Sequence, residues 1–221
     1  MPHSQPRLAD LRRTAVVFNG FANVDRTWLR LIEDTRPAID LTLADHRTVL
    51  LRWLNSWGCR IRYPRAGEPA PFDSGVLQWW RTWQPALPRT GIQELSDTDI
   101  KAVGDAYADL AAVVVSEGRT RRTLGPTAAA KALYALAPRA VMPWDAAIAV
   151  RLHGERDGVA FARHQELGRT WAAAIIAEAG GDENAVTQSI GRPSISLAKI
   201  LDEYLYVTIT MPGQDATRGE Q

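Results

Sequence analysis

Hydrophobic residues recur at helical spacing through most of the chain. Between residues 43 and 57 they fall at positions i, i+1, i+4, i+5 and i+8, the pattern of one buried face of an amphipathic helix. The residues of this face are Val49, Leu50, Trp53, Leu54 and Trp57. We expect Asp45 to cap this helix at its start and Gly58 to end it.

Start and stop signals divide the rest of the chain into further helices. A short helix is predicted over 77–83, and further helices follow over 97–116, 126–137, 146–152, 159–179 and 194–204. Ser96 and Asp99 have the spacing of a capping box, and Pro126 suits a first helical position. Residues 117–125 are predicted to form a charged hairpin, and residues 207–210 a short strand or an extended tail.

Together these elements predict an all-α fold. Strands do not alternate with helices as they do in a parallel sheet, so the helices must pack on one another. We expect a single helical domain over 8–211, either as one undivided globule or as two lobes around a cleft. Residues 1–7 are polar and predicted to be a loose end, and 212–221 are predicted to be a disordered tail.

Composition and charge narrow the class of protein. Of the 221 residues, 46% are hydrophobic and 23% charged, which is typical of a globular domain. The net charge of +1 argues neither for nor against nucleic-acid binding, so only a local basic patch could indicate it. One cysteine, Cys59, excludes an internal disulfide and a four-cysteine metal site. The chain shows neither a signal-peptide pattern nor 18 consecutive apolar residues, so we expect a cytoplasmic protein without a membrane partner.

Sequence motifs for several common enzyme classes are absent. The chain contains no P-loop, dinucleotide-binding, zinc-protease or α/β-hydrolase motif. Its four histidines have no spacing typical of a metal site. We therefore expect no metal and no cofactor.

One stretch, residues 124–152, combines side chains that could carry chemistry. Thr127, Lys131 and Tyr134 lie on one face of the predicted helix, because residues at i, i+4 and i+7 nearly superpose. Asp145 follows a Pro-Trp turn and opens the next helix, which can aim its carboxylate back towards the preceding helix. Lys131 and Asp145 are therefore the candidate catalytic pair.

This stretch resembles the helix-hairpin-helix DNA glycosylase superfamily. The shared features are a hairpin glycine, Gly125, a helix, an extended crossover and a Pro-x-Asp sequence that opens another helix. The resemblance implies that the hairpin at Gly125 and Thr127 binds a DNA phosphate through backbone N–H groups. It also implies that Asp145 stabilises the sugar cation formed as the base leaves, or activates a nucleophile.

The sequence departs from the family pattern in three respects. The hairpin has one glycine where the family has two, and the iron–sulfur cysteines of some members are missing. The place of the family's Schiff-base lysine holds Pro126 or Thr127, whereas Lys131 lies about one turn further on. The resemblance therefore favours a monofunctional enzyme.

Other residues complete the predicted site. The arginines Arg119, Arg121 and Arg122 precede the hairpin glycine and suit contacts to DNA phosphates. The candidate lining of a base pocket is Trp144, Tyr134, Asn55 and Arg60. The sequence leaves two alternatives to a DNA glycosylase: a non-catalytic DNA-binding or defence-associated module, and a helical protein that binds a small molecule or a protein partner.

Overall fold

Helices account for most of the chain in the computed structural model, which describes residues 4–20, 22–65, 68, 70–117 and 120–212. The α-helices are α1 (Leu8–Phe18), α2 (Ala22–Asp34), α3 (Ala44–Ser56), α4 (Pro71–Trp83), α5 (Asp97–Ala112), α6 (Pro126–Leu136), α7 (Ala146–His153), α8 (Gly158–Ala179), α9 (Glu183–Ser189) and α10 (Leu197–Leu205). Two strands, β1 (Val114–Ser116) and β2 (Arg122–Thr123), pair antiparallel between α5 and α6. The predicted all-α class is confirmed.

Local capping chemistry explains where several helices begin. The Ser96 hydroxyl accepts a hydrogen bond from the Asp99 amide at the start of α5. Pro126 is the first residue of α6, and Asp145 caps α7 by accepting from the Ile148 amide at 2.9 Å. These three predicted starts are confirmed. The prediction for Asp45 is wrong, because α3 begins one residue earlier and Leu43 precedes it as the N-cap.

The end of the chain differs most from the sequence prediction. Residues Tyr206–Thr210 form a π-helical segment that continues α10, where we expected a strand or an extended tail. Their β-branched side chains favour a strand, but packing against α1 and α7 decides the conformation. Met211 and Pro212 are still helical, and residues 213–221 of the predicted tail lie outside the described residues. At the other end Pro6 is buried, while residues 1–3 also lie outside them.

The charged segment after α5 is a β-hairpin inserted between two packed helices. At its base the Leu124 amide donates to the Val113 carbonyl at 2.8 Å, and the Gly125 amide donates to the Ala111 carbonyl at 3.0 Å. Gly125 has a φ of 79°, in the left-handed region that favours glycine. These two bonds bring the end of α5 beside the start of α6.

The core lies where α5, α6, α7 and α8 meet. Gly104 and Gly158 allow α5 and α8 to approach closely, since a Cβ on Gly158 would lie 2.6 Å from the Gly104 carbonyl oxygen. The Tyr107 and Phe161 rings stack with centroids 4.1 Å apart beside Trp144. None of the helices in the described ranges is long and apolar enough to span a membrane. This core fixes the crossover that carries Asp145.

Candidate functional site

A cavity of about 360 Å³ brings Lys131 and Asp145 together. Its walls come from elements far apart in the sequence and combine aromatic, charged and small side chains. The lining residues are Phe18, Thr27, Ser56, Trp57, Lys131, Pro143, Trp144, Asp145, Lys199, Asp202 and Tyr206. We call this cavity the Lys131–Asp145 pocket. Its size lies within the range of ligand-binding pockets.

Asp145 is held in one orientation by two hydrogen bonds. Its Oδ1 accepts from the Ile148 amide at the start of α7, and its Oδ2 accepts from the Thr210 hydroxyl at 2.7 Å. Thr210 belongs to the π-helical segment, so the C-terminal end of the fold reaches back to fix a carboxylate in the middle of the chain. The carboxylate is half-buried at the edge of the pocket.

Lys131 enters the pocket from α6. Its Nζ donates to the Trp57 carbonyl oxygen at 2.9 Å and lies 5.2 Å from the centroid of the Trp57 ring. Burial lowers the pKa of Lys131, and the nearby charge of Lys199 lowers it further, while Asp202 and Asp145 act in the opposite direction. The ammonium is therefore partly desolvated, and Asp145 is one of the charged groups around it.

A second charged pair, Lys199 and Asp202, also lines this pocket and is not among the residues predicted from the sequence. Lys199 Nζ lies 2.5 Å from Asp202 Oδ2, and both residues are buried on α10. Burial alone would lower the pKa of Lys199, but the carboxylates of Asp202 and Glu203 outweigh it and raise that pKa. Burial raises the pKa of Asp202. Lysine is scarce in the chain, with only Lys101, Lys131 and Lys199, and this scarcity is the sequence signal that could have pointed to Lys199.

Aromatic rings form the apolar walls of the pocket. The Phe18 and Tyr206 rings meet edge to face with centroids 6.1 Å apart. Trp57 is fixed by a hydrogen bond from its Nε1 to the Thr27 hydroxyl at 3.1 Å. The Lys199 ammonium lies 5.0 Å from the Phe18 ring and 5.3 Å from the Trp57 ring. These rings are flat surfaces on which a planar ligand could stack.

Of the four residues expected to line a base pocket, only Trp144 borders it. The Trp144 ring is 1% exposed, because it packs in the core beside Tyr107 and Phe161. Tyr134 is 2% exposed and packs on Trp28, with centroids 4.9 Å apart. The expectation that Tyr134 lines the pocket is therefore wrong, because its ring is buried against Trp28.

Asn55 and Arg60 also lie outside the lining of the pocket. The Asn55 amide side chain bonds both backbone groups of Ile61, at 2.8 and 2.7 Å, and so shapes the loop after α3. Arg60 is exposed and has a φ of 53°. Trp57, from the same segment, provides the contact that we expected from these two residues.

The hairpin presents fewer backbone donors than the family resemblance implies. The Gly125 amide bonds the Ala111 carbonyl within the fold, and Pro126 has no N–H. Thr127 is half-buried in the first turn of α6, where its amide and that of Ala128 precede the first intrahelical bond, from Ala129 to Gly125. Arg121 and Arg122 are exposed, and Arg119 lies outside the described residues. Any phosphate contact would therefore come chiefly from side chains.

A larger cavity, of about 660 Å³, lies beside the β-hairpin and contains none of the predicted site residues. Its buried arginine, Arg47, is already paired with both carboxylate oxygens of Asp73 and with the Leu41 carbonyl. The Lys131–Asp145 pocket is smaller, but it is lined by the candidate catalytic pair, Lys131 and Asp145. In the part of the chain that the structure describes, no cluster of three or more His, Cys, Asp or Glu residues could hold a metal ion.

Comparisons of the chain with models of protein families, with curated proteins and with solved structures found no match.

Proposed function

We propose that this chain is a DNA glycosylase-like enzyme that hydrolyses the N-glycosidic bond of a damaged or modified base. The observation that carries the proposal is the shared pocket: Lys131 and Asp145 come from different helices of the 124–152 stretch and line one aromatic-walled cavity. An extruded base needs a flat apolar slot, and the developing sugar cation needs a fixed negative charge. The pocket offers both.

Asp145 is suited to stabilise the transition state. As the C1′–N bond breaks, its electron pair leaves with the base and C1′ becomes positively charged. Water then forms the new C1′–O bond, and its proton is lost to solvent or to the departing base. A carboxylate beside C1′ lowers the energy of this cation, and the bonds from Ile148 and Thr210 hold it in place without reorganisation.

Lys131 is assigned a supporting role. Its hydrogen bond to the Trp57 carbonyl and its distance from the family's lyase position favour an ammonium that orients Asp145 or a phosphate. We therefore expect no Schiff base. Borohydride should trap no covalent complex between wild-type protein and DNA containing an abasic site. Trapping that disappears in Lys131→Gln would instead assign a lyase mechanism.

Arg121 and Arg122 are the proposed phosphate contacts. Both are exposed at the β-hairpin that leads into α6, the helix carrying Lys131. Replacing both with Ala should weaken DNA binding and reduce the slope of log affinity against log salt by up to about two. Replacing Arg89 and Arg156 is the charge-matched control. An unchanged slope in the hairpin variant would remove the hairpin from the interface.

The central test is Asp145→Asn. Asparagine keeps an oxygen that can cap α7 but removes the charge, so DNA binding should persist while base release falls about 100-fold or more. Asp157→Asn is a matched control, because Asp157 caps α8 by the same bond, to the Ala160 amide at 2.8 Å. Full base release by Asp145→Asn would defeat the assignment.

The second candidate is a pocket for a small aromatic ligand in a protein that does not bind DNA. The engaged Gly125 amide and the net charge of +1 favour it. Binding and base release, measured on a panel of duplexes with damaged and modified bases, distinguish these candidate functions. Base release supports the enzyme, salt-dependent binding without release supports a non-catalytic DNA-binding module, and no binding supports the small-ligand pocket.

A further inference from the structure

The charged groups of the Lys131–Asp145 pocket differ in how many of their hydrogen-bonding positions are already used within the protein. Each carboxylate oxygen of Asp145 accepts a hydrogen bond, from Ile148 and from Thr210. Asp202 is paired with Lys199 at 2.5 Å. An ammonium has three donors and no acceptor, and the bonds to Trp57 and Asp202 use one donor each on Lys131 and Lys199. Each ammonium therefore keeps two N–H donors for a ligand, while each Asp145 oxygen has one of its two acceptor positions filled.

The aromatic walls of the pocket disfavour a cationic ligand. The faces of aromatic rings attract cations, but here two ammonium groups already lie within about 6 Å of ring centroids. Lys131 and Lys199 are 5.2 and 5.3 Å from the Trp57 ring, and Lys199 is 5.0 Å from the Phe18 ring. A cationic ligand in this pocket would compete with both lysines for these rings and would be repelled by them.

We infer that the pocket selects a neutral base bearing ring carbonyl oxygens, an oxopurine or oxopyrimidine, over a cationic alkylated base, and that Lys199 is the residue that determines this preference. The inference rests on the proposed function, because it names the class of base that the enzyme would release. Lys199 suits the role because it is held by Asp202 beside two aromatic walls. Its ammonium can donate to a carbonyl oxygen of a base that enters the pocket.

Three deoxynucleosides that share a purine ring test the preference by calorimetric titration. Deoxyinosine has a carbonyl at position 6, deoxyadenosine has an amino group there, and 1-methyldeoxyadenosine is cationic at neutral pH. Wild-type protein should bind deoxyinosine about tenfold or more tightly than either of the others. Equal or tighter binding of the cation, or no binding of deoxyinosine, would overturn the inference.

Variants of Lys199 test the residue itself. Lys199→Met should remove the preference for deoxyinosine, while Lys101→Met, at an exposed lysine paired with Asp105, should keep it. Because Lys199→Met leaves Asp202 unpaired, the double variant Lys199→Met with Asp202→Leu is measured beside it. A preference retained in whichever of these variants folds would refute the role of Lys199.

Hydrolysis is measured separately, on duplexes that carry hypoxanthine or 1-methyladenine. Deoxyinosine preference without release of either base would refute the proposed chemistry and leave the selectivity intact. Release of 1-methyladenine in preference to hypoxanthine would support the glycosylase and refute the selectivity. The two proposals can therefore fail independently.

Discussion

Acidification is expected to destabilise the protein through a pair of histidines behind the site. His164 Nε2 lies 3.2 Å from the Pro143 carbonyl oxygen, and His164 Nδ1 lies 3.1 Å from His153 Nε2. A carbonyl can only accept, so neutral His164 must carry its proton on Nε2 and accept from His153 at Nδ1. A second proton on His164 would place two donors face to face. The crossover that carries Asp145 depends on this arrangement.

The size of the effect follows from burial. His164 is 0% exposed, and burial, with the neighbouring His153, lowers its pKa from 6.5 to about 3. Between these two values the unfolded chain binds a proton that the folded protein excludes, so stability is complete above pH 6.5 and falls as the pH drops towards 3. From pH 7 to pH 4.5 the loss from His164 alone is about 3 kcal/mol, against a total free energy of unfolding of about 5–15 kcal/mol. Burial also lowers the pKa of His153, to about 4, so His153 adds to the loss in the same direction.

Urea unfolding, followed by tryptophan fluorescence at several values between pH 7 and pH 4.5, measures this slope. His164→Gln keeps an amide that can bond Pro143 but cannot titrate, so its stability should fall less steeply with acid. Carboxyls such as Asp99, whose pKa is lowered by its bonds to Ser96, titrate in both proteins and cancel in the difference. Identical slopes in the variant and the wild type would refute the reasoning.

Two further variants probe packing and the position of Asp145. Gly158→Ala should lower the free energy of unfolding by about 1–3 kcal/mol, seen as a lower urea midpoint, because its Cβ would lie 2.6 Å from the Gly104 carbonyl oxygen. Thr210→Val should slow base release about tenfold or more with DNA binding unchanged, because Asp145 loses the hydroxyl that orients it. Thr210→Ser should restore the rate, and failure to do so would leave Thr210 a packing role only.

Features of the fold that depend on a few neighbouring residues could be predicted from the sequence. The starts of α5, α6 and α7 follow from the chemistry of Ser96, Pro126 and Asp145, which bond or shape the first turn directly. The π-helical segment could not be predicted in this way. Its β-branched residues favour extended backbone, and only contacts with distant helices reverse that preference.

The residues of the candidate site likewise fall into those that could be predicted from nearby sequence and those that could not. Lys131 and Asp145 could be paired in advance because a short crossover separates their helices and limits how far apart they can lie. Phe18 and Lys199 come from opposite ends of the chain, and local periodicity shows that such residues are on a buried face but not which neighbours they meet. Tyr134 shares a helix face with Lys131, yet its ring is taken up by Trp28.

The buried ion pair of Lys199 and Asp202 is expected to contribute to the proposed selectivity without stabilising the fold. Removing two charges from water costs more than their attraction commonly returns, so a well-packed apolar pair is often neutral or stabilising by about 1–4 kcal/mol. We therefore expect Lys199→Met with Asp202→Leu to unfold at the same or higher urea concentration than wild type, since Glu203 keeps Arg192 as its partner at 2.9 Å. Lys199→Met alone should be less stable than the double variant, because it leaves a buried carboxyl without its cation. The double variant should also lose the preference for deoxyinosine. A fall in the free energy of unfolding as large as that of the single variant would show that the pair stabilises the fold. Stability alone would then account for a buried ion pair at this position, without a role in recognition.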